Sequence, residues 1–148
     1  MSESNRSIGV DVGDVRIGVA LSDPLGIIAQ PHSVVQTQSP QQDAAAIARI
    51  AAESGARRIV VGMPLNREGK PGPQAEKVLA FVEVLRQTVD VEIILQDERF
   101  STASAERALI DAGVRREKRK RVIDKVAAQR ILQTYLDRRA HESRTDPQ

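Results

Sequence analysis

The stretch Ser7-Ile8-Gly9-Val10-Asp11-Val12-Gly13-Asp14-Val15-Arg16-Ile17-Gly18-Val19-Ala20-Leu21-Ser22 decides the fold. Ser7 to Asp11 reads as a short strand, Gly13-Asp14 as a hairpin turn and Val15 to Ser22 as the returning strand, because β-formers flank a dipeptide suited to a tight reversal. Period-two alternation places Asp11 on the face of Gly9, whose missing side chain leaves room beside the carboxylate. An Asp at this point either serves the turn or faces a site, and the hairpin alone leaves both readings open.

Outward from this hairpin, a loop containing Asp23-Pro24 and Pro31 leads to a third extended piece, Ser33 to Gln36, which predicts three antiparallel strands in sequence. The period then changes. Ser39-Pro40 is a cap and first-turn pair, Ile47, Ile50 and Ala51 recur at helical spacing, and Gly55 supplies a stop, so a helix is predicted from Pro40 to about Glu53. Ile59 to Gly62 is an apolar run suited to burial on both sheet faces, followed by the Gly- and Pro-rich loop GMPLNREGKPGP. Ala75, Val78, Leu79, Val82 and Leu85 form the apolar stripe of a helix from Gln74 to about Thr88. Val91 to Leu95 is the fifth strand, entering Asp97-Glu98-Arg99, and Ser101 or Thr102 caps a short helix that stops at Gly113. A last helix follows a basic run. The order β-β-β-α-β-α-β-α-α predicts an α/β fold in which a meander of three strands is joined by two strands arriving as parallel crossovers. One domain over residues 1–138 and a disordered tail over 139–148, with HESRTDPQ at its end, complete the expected organisation.

Composition narrows the chemistry. Apolar residues make up 41% of the 148, enough for a core, and no run approaches the roughly 20 residues that cross a bilayer. The opening MSESNRSIGVDVG lacks a basic-then-apolar secretory layout, so a cytoplasmic location is expected. With no cysteine and only His32 and His141, thiolate nucleophiles, thiolate zinc sites and imidazole-rich metal centres are excluded. Any metal must sit on oxygen. His32, after Pro31, is expected to be structural or solvent-exposed. The net charge is only +2, but Arg115, Arg116, Lys118, Arg119, Lys120 and Arg121 form a basic run broken only by Glu117. Such a run is either a phosphate-gripping loop or a solvated connector before the last helix.

Three acidic positions stand against the apolar pattern. Asp124 begins a stripe continued by Ala127, Ala128, Ile131, Leu132, Tyr135 and Leu136, so it is either a helix cap favoured by the dipole or a ligand aimed at the sheet. Asp97 and Glu98 follow Ile93 to Leu95, and alternation sends them to opposite faces, so at most one shares a pocket with Asp11; the bland reading is a polar strand end. Together, these positions would form an oxygen-rich centre suited to magnesium or manganese. Two such ions roughly 3.5 to 4 Å apart can activate a water and stabilise the leaving oxygen of a phosphoryl displacement.

Four ordered motifs then resemble the YqgF family, also called RuvX: Ile8-Gly9-Val10-Asp11-Val12-Gly13 with Arg16-Ile17-Gly18-Val19-Ala20, Val60-Val61-Gly62-Met63-Pro64-Leu65-Asn66, Asp97-Glu98-Arg99-Phe100-Ser101-Thr102, and Ile123-Asp124-Lys125-Val126-Ala127-Ala128. The resemblance runs from about Ile8 to Asp137. It implies a ribonuclease H-like fold, with a mixed five-stranded sheet and helices on both faces, related to Holliday junction resolvases. It also implies a metal-dependent nuclease maturing the 5′ end of 16S ribosomal RNA. Asp11, Glu98 and Asp124 match the family's acidic triad; the choice of Glu98 over Asp97 comes from the resemblance alone. Val12, Met63 and Phe100 depart from the usual residues at their positions, and none of these departures removes a carboxylate.

Holliday junction resolution is the runner-up, since the same site would serve either polymer, and a homodimer is compatible with both. A nucleic-acid-binding module that does not cut is disfavoured by the intact triad. An actin-like ATPase would need a second domain, and Gly13 to Gly18 is no Walker loop, because Val19-Ala20 stands where Lys and Ser or Thr are required. Arg16, Lys70, Arg99, Arg119, Lys120 and Arg121 are the candidate phosphate contacts. Aromatic residues are too few for recognition by base stacking.

Overall fold

The structure, a computed structural model, describes residues 4–65, 70, 72–97 and 116–145, with side chains for all of these except 116–122 and 143–145. Strands β1 (Ser7–Val12), β2 (Arg16–Ser22) and β3 (Ala29–Gln36) are followed by helix α1 (Pro40–Ser54), β4 (Arg58–Met63), α2 (Pro73–Thr88), β5 (Glu92–Asp97) and the long helix α3 (Arg116–Thr145). The five strands form one sheet in the order β3-β2-β1-β4-β5. β1-β2 and β2-β3 are antiparallel, and β4 is parallel to both β1 and β5. The meander and two crossovers read from the sequence are therefore present.

Local chemistry explains the elements. The Ser39 hydroxyl accepts from the Gln42 amide with Pro40 in the first turn of α1, and Gly55 at φ 71° closes the helix, its amide donating to carbonyls of the last turn. β3 begins at Ala29 and runs through Pro31, earlier than the Ser33 start predicted from the sequence. The strand lies at the sheet edge, where a missing amide is tolerated, and it bulges there: Pro31 pairs with Ala20 and Ser33 with Val19, leaving His32 as the extra residue. The hairpin turn spans Gly13 to Val15, with the Gly13 amide donating to the Arg16 carbonyl, so Val15 belongs to the turn and not to the strand.

The two faces of the sheet are covered unequally. One carries Ile8, Val10, Ile17, Val19, Ile59, Val61 and Met63 against α1 and α2. The other carries Ala20, Ala29 and Val60 against Ala128, Ile131, Leu132 and Leu136 of α3. On this second face Gly9 is obligatory, because a Cβ there would lie 2.6 Å from the Leu132 Cβ and 2.7 Å from the Ala128 carbonyl oxygen. Its bare Cα makes room for the close approach of α3.

α3 corrects two expectations. It starts at Arg116, so the basic residues Arg116 to Arg121 form its first turns and not a loop before it. Arg, Lys and Glu are good helix formers, but a turn without apolar periodicity gives no stripe from which to extend the helix. At the other end it runs to Thr145, into the segment expected to be a disordered tail. The predicted short helix from Ser101 to Gly113 lies outside the described residues.

Candidate active site

Asp11 sits one residue before the end of β1, directly opposite Gly18 of β2. It is thus held by the sheet ladder and is not a turn residue. A Cβ on Gly18 would overlap the Asp124 carbonyl oxygen, so α3 rests on the hairpin at the level of Asp11. Asp124 lies eight residues past the helix start at Arg116, roughly two turns inside α3, which removes the capping reading. Sheet register and a close helix crossing bring the two carboxylates together.

Their proximity has an electrostatic signature. Burial, and then the nearby Asp124 carboxylate, push the Asp11 carboxyl up to about 6. Asp124 is treated differently: the Arg16 Nε donates to its Oδ2 at 2.7 Å, with side-chain exposures of 22% and 20% for the two partners. At that exposure the pair is shielded from much of the solvent screening that weakens a surface ion pair. Arg16, expected from the sequence as a phosphate contact, answers a carboxylate through its Nε in this structure. Sequence reasoning missed the pairing, although strand parity held the signal, since Arg16 shares the face of Gly18 and hence of Asp11.

Other parts brace the hairpin. The Gln74 side-chain amide donates to the Val12 carbonyl oxygen, and exposed Lys77 pairs with Asp14 at 3.2 Å. Of the Asp97-Glu98 pair, parity places Asp97 with Met63 and Ile93 on the α1/α2 face, away from Asp11. Glu98 and Arg99 lie outside the described residues. Among the described residues, no three His, Asp or Glu side chains gather closely enough to hold a metal ion. Lys70 is exposed on the loop before α2, and the side chains of Arg119, Lys120 and Arg121 lie outside the description. His32 is exposed, as expected, with its Nδ1 2.8 Å from the Ser33 hydroxyl.

The donor chemistry fits a hard divalent cation. Asp11 and Asp124 offer only oxygen, and a carboxyl held up first by burial and then by an adjoining carboxylate gains from a bound cation, which relieves both. Asp11, the end of β4 and the end of β5 all lie at the carboxyl edge of the three parallel strands, where open α/β sheets place their sites.

The architecture has solved counterparts. Thermus thermophilus RuvC in complex with a Holliday junction substrate superposes with a TM-score of 0.55 at 14% identity, over 92% of this chain and 96% of that one. The fowlpox virus Holliday junction resolvase gives 0.52 at 13% identity, over 90% and 99%. These likenesses show the fold, which is ribonuclease H-like. The family model described as "RuvX: Holliday junction resolvase" matches residues 5–138, and the chain belongs to this family. Among curated relatives, a protein of Desulforamulus reducens named "Putative pre-16S rRNA nuclease" is 52% identical over 89% of this chain and 96% of its own length. One of the same name from Halothermothrix orenii is 48% identical over 89% and 94%.

Proposed function

We propose that this chain is a divalent-metal-dependent endonuclease that hydrolyses phosphodiester bonds of precursor 16S ribosomal RNA in the cytoplasm. The observation that carries the reading is the convergence of Asp11 and Asp124 on one face of a ribonuclease H-like sheet, with Asp11 pushed up to about 6 by burial and by its neighbour. The choice of RNA is supported by the names of the relatives at 48 to 52% identity.

Asp11 and Asp124 would hold Mg2+ or Mn2+, with Glu98 as the third carboxylate. Asp97 faces the other side of the sheet, which supports Glu98 as the member of the pair that takes part. When bound, the ions supply Lewis-acid stabilisation of charge on the scissile phosphate and on the leaving oxygen. The protein's own part is positional: β1 fixes Asp11 and the α3 crossing fixes Asp124. Arg119, Lys120 and Arg121 at the start of α3, with Lys70 and Arg99, would grip the flanking backbone through charge.

Holliday junction resolution is the second reading, favoured by the family description and by the two resolvase folds. That reading calls for a two-fold dimer, whose paired sites would match the symmetry of a junction. The two are separated by incubating the full chain with a precursor-rRNA 5′ leader and with a four-way DNA junction, each with magnesium, manganese or chelator. Metal-dependent cutting of the leader alone is expected. Cutting of the junction alone would replace the first reading by the second, and binding without cutting under any metal would leave a binding module.

A further inference from the structure

Arg16 stands two residues from Gly18 on the same strand face, and Gly18 is the register partner of Asp11. Its guanidinium therefore reaches Asp124 from the side of the hairpin that carries Asp11. Among the described residues, the hydrogen bond to the Asp124 carboxylate falls on one of its oxygens: Nε of Arg16 donates to Oδ2. Asp11 pairs with no cation among the described residues, and it feels Asp124 as a repelling charge. Left without Arg16, Asp124 would keep its repulsion from Asp11 and lose the hydrogen bond that opposes it.

We propose that Arg16 is the positioning residue of the acidic site, holding Asp124 by Oδ2 so that Oδ1 is kept for a divalent cation shared with Asp11. The proposal rests on the metal-dependent reading above. It goes beyond it by giving Arg16 a role opposite to that of a simple charge. By Coulomb's law, a cation beside a metal site weakens metal binding, so deleting it should tighten the site. A residue that orients a ligand acts with the other sign, and loss of such partners typically weakens metal affinity by about 10- to 100-fold. The sign of the effect separates the two roles.

The test is a titration of Mn2+ into the full chain without nucleic acid, following free ion by its paramagnetic signal, for the parent, Arg16→Gln and Arg16→Lys. Arg16→Gln is expected to bind Mn2+ at least about tenfold more weakly although the site has become more negative. Arg16→Lys keeps the charge without the planar Nε donor, and is expected to fall between the two. Affinity for uncut nucleic acid in chelator should keep the parent's salt dependence. Unchanged or tighter Mn2+ binding by Arg16→Gln overturns the proposal, as does a salt slope smaller by about one with metal affinity intact, which would make Arg16 a phosphate contact. If Arg16→Gln does not fold, Arg16→Lys decides: weaker Mn2+ binding at unchanged charge supports positioning, and affinity equal to the parent's overturns it. A parent that binds no Mn2+ would instead bring down the metal-dependent reading and this inference with it.

Discussion

Asp11 is the side chain on which the electrostatics of the site turn. Its carboxyl is raised to about 6 in the folded chain by burial and by Asp124, above its ordinary value near 3.8. The proton is thus held more tightly folded than unfolded. The stability this contributes is complete below the ordinary value and is lost as pH rises through about 6. In chelator, Asp11→Asn should therefore gain on the parent between pH 4.5 and 7.5 (~3 pH units apart), by up to on the order of 2 kcal/mol. Parallel melting curves across that range would show that burial and Asp124 do not raise the Asp11 carboxyl. Gly18 is the second decisive position: a Cβ there would overlap the Asp124 carbonyl oxygen, so Gly18→Ala must displace α3 or the hairpin. It should cost about 1 to 3 kcal/mol and weaken Mn2+ binding without touching a carboxylate. Native metal affinity in a stable Gly18→Ala protein would contradict the close crossing. Of these residues the sequence made Asp11 legible, by its place after alternating apolar residues. It offers no hint that Gly9 and Gly18 admit α3, because contact between a helix and a strand more than 100 residues apart leaves no local pattern.

α3 is the element that assembles the site. Its inner face and the sheet beneath it are rich in small residues, Gly9, Gly18, Ala20, Ala29, Ala127 and Ala128, which lets the helix backbone approach the strands. The opposite face uses larger Ile, Val, Phe and Leu side chains to seat α1 and α2. At 30 residues α3 is about 45 Å long, and its buried stripe extends from Ala127 to Leu136, so the basic first turns run past that stripe on the side of Asp124. Replacing Arg119, Lys120 and Arg121 with Ala should lower the salt slope of nucleic-acid binding by up to about one per lost contact. An unchanged slope would make the basic turns merely solvated. The stripe from Asp124 to Leu136 was readable from its period, whereas the helix start was not, because Arg116 to Arg121 offer no apolar alternation to follow. β3 was shortened in the reading for a related reason: Pro31 argues against a strand unless it is known to lie at an edge with a bulge.

For the molecule as a whole, a sheet ladder and a helix crossing bring Asp11 and Asp124 together, and the basic first turns of α3 precede Asp124 in the same helix. The order of the described elements and the sheet's mixed sense followed from patterning alone, since each crossover helix carries its own apolar stripe and a proline in its first turn. The central claim is that Asp11, Glu98 and Asp124 act as one metal-dependent unit. The most direct measurement is single-turnover cleavage of a precursor-rRNA 5′ leader in magnesium by the parent, Asp11→Asn, Glu98→Gln and Asp124→Asn, each confirmed folded by its melting curve in chelator. The account predicts cleavage by the parent that chelator abolishes, and a loss to background in all three variants. Folded variants that cut as fast as the parent would contradict it.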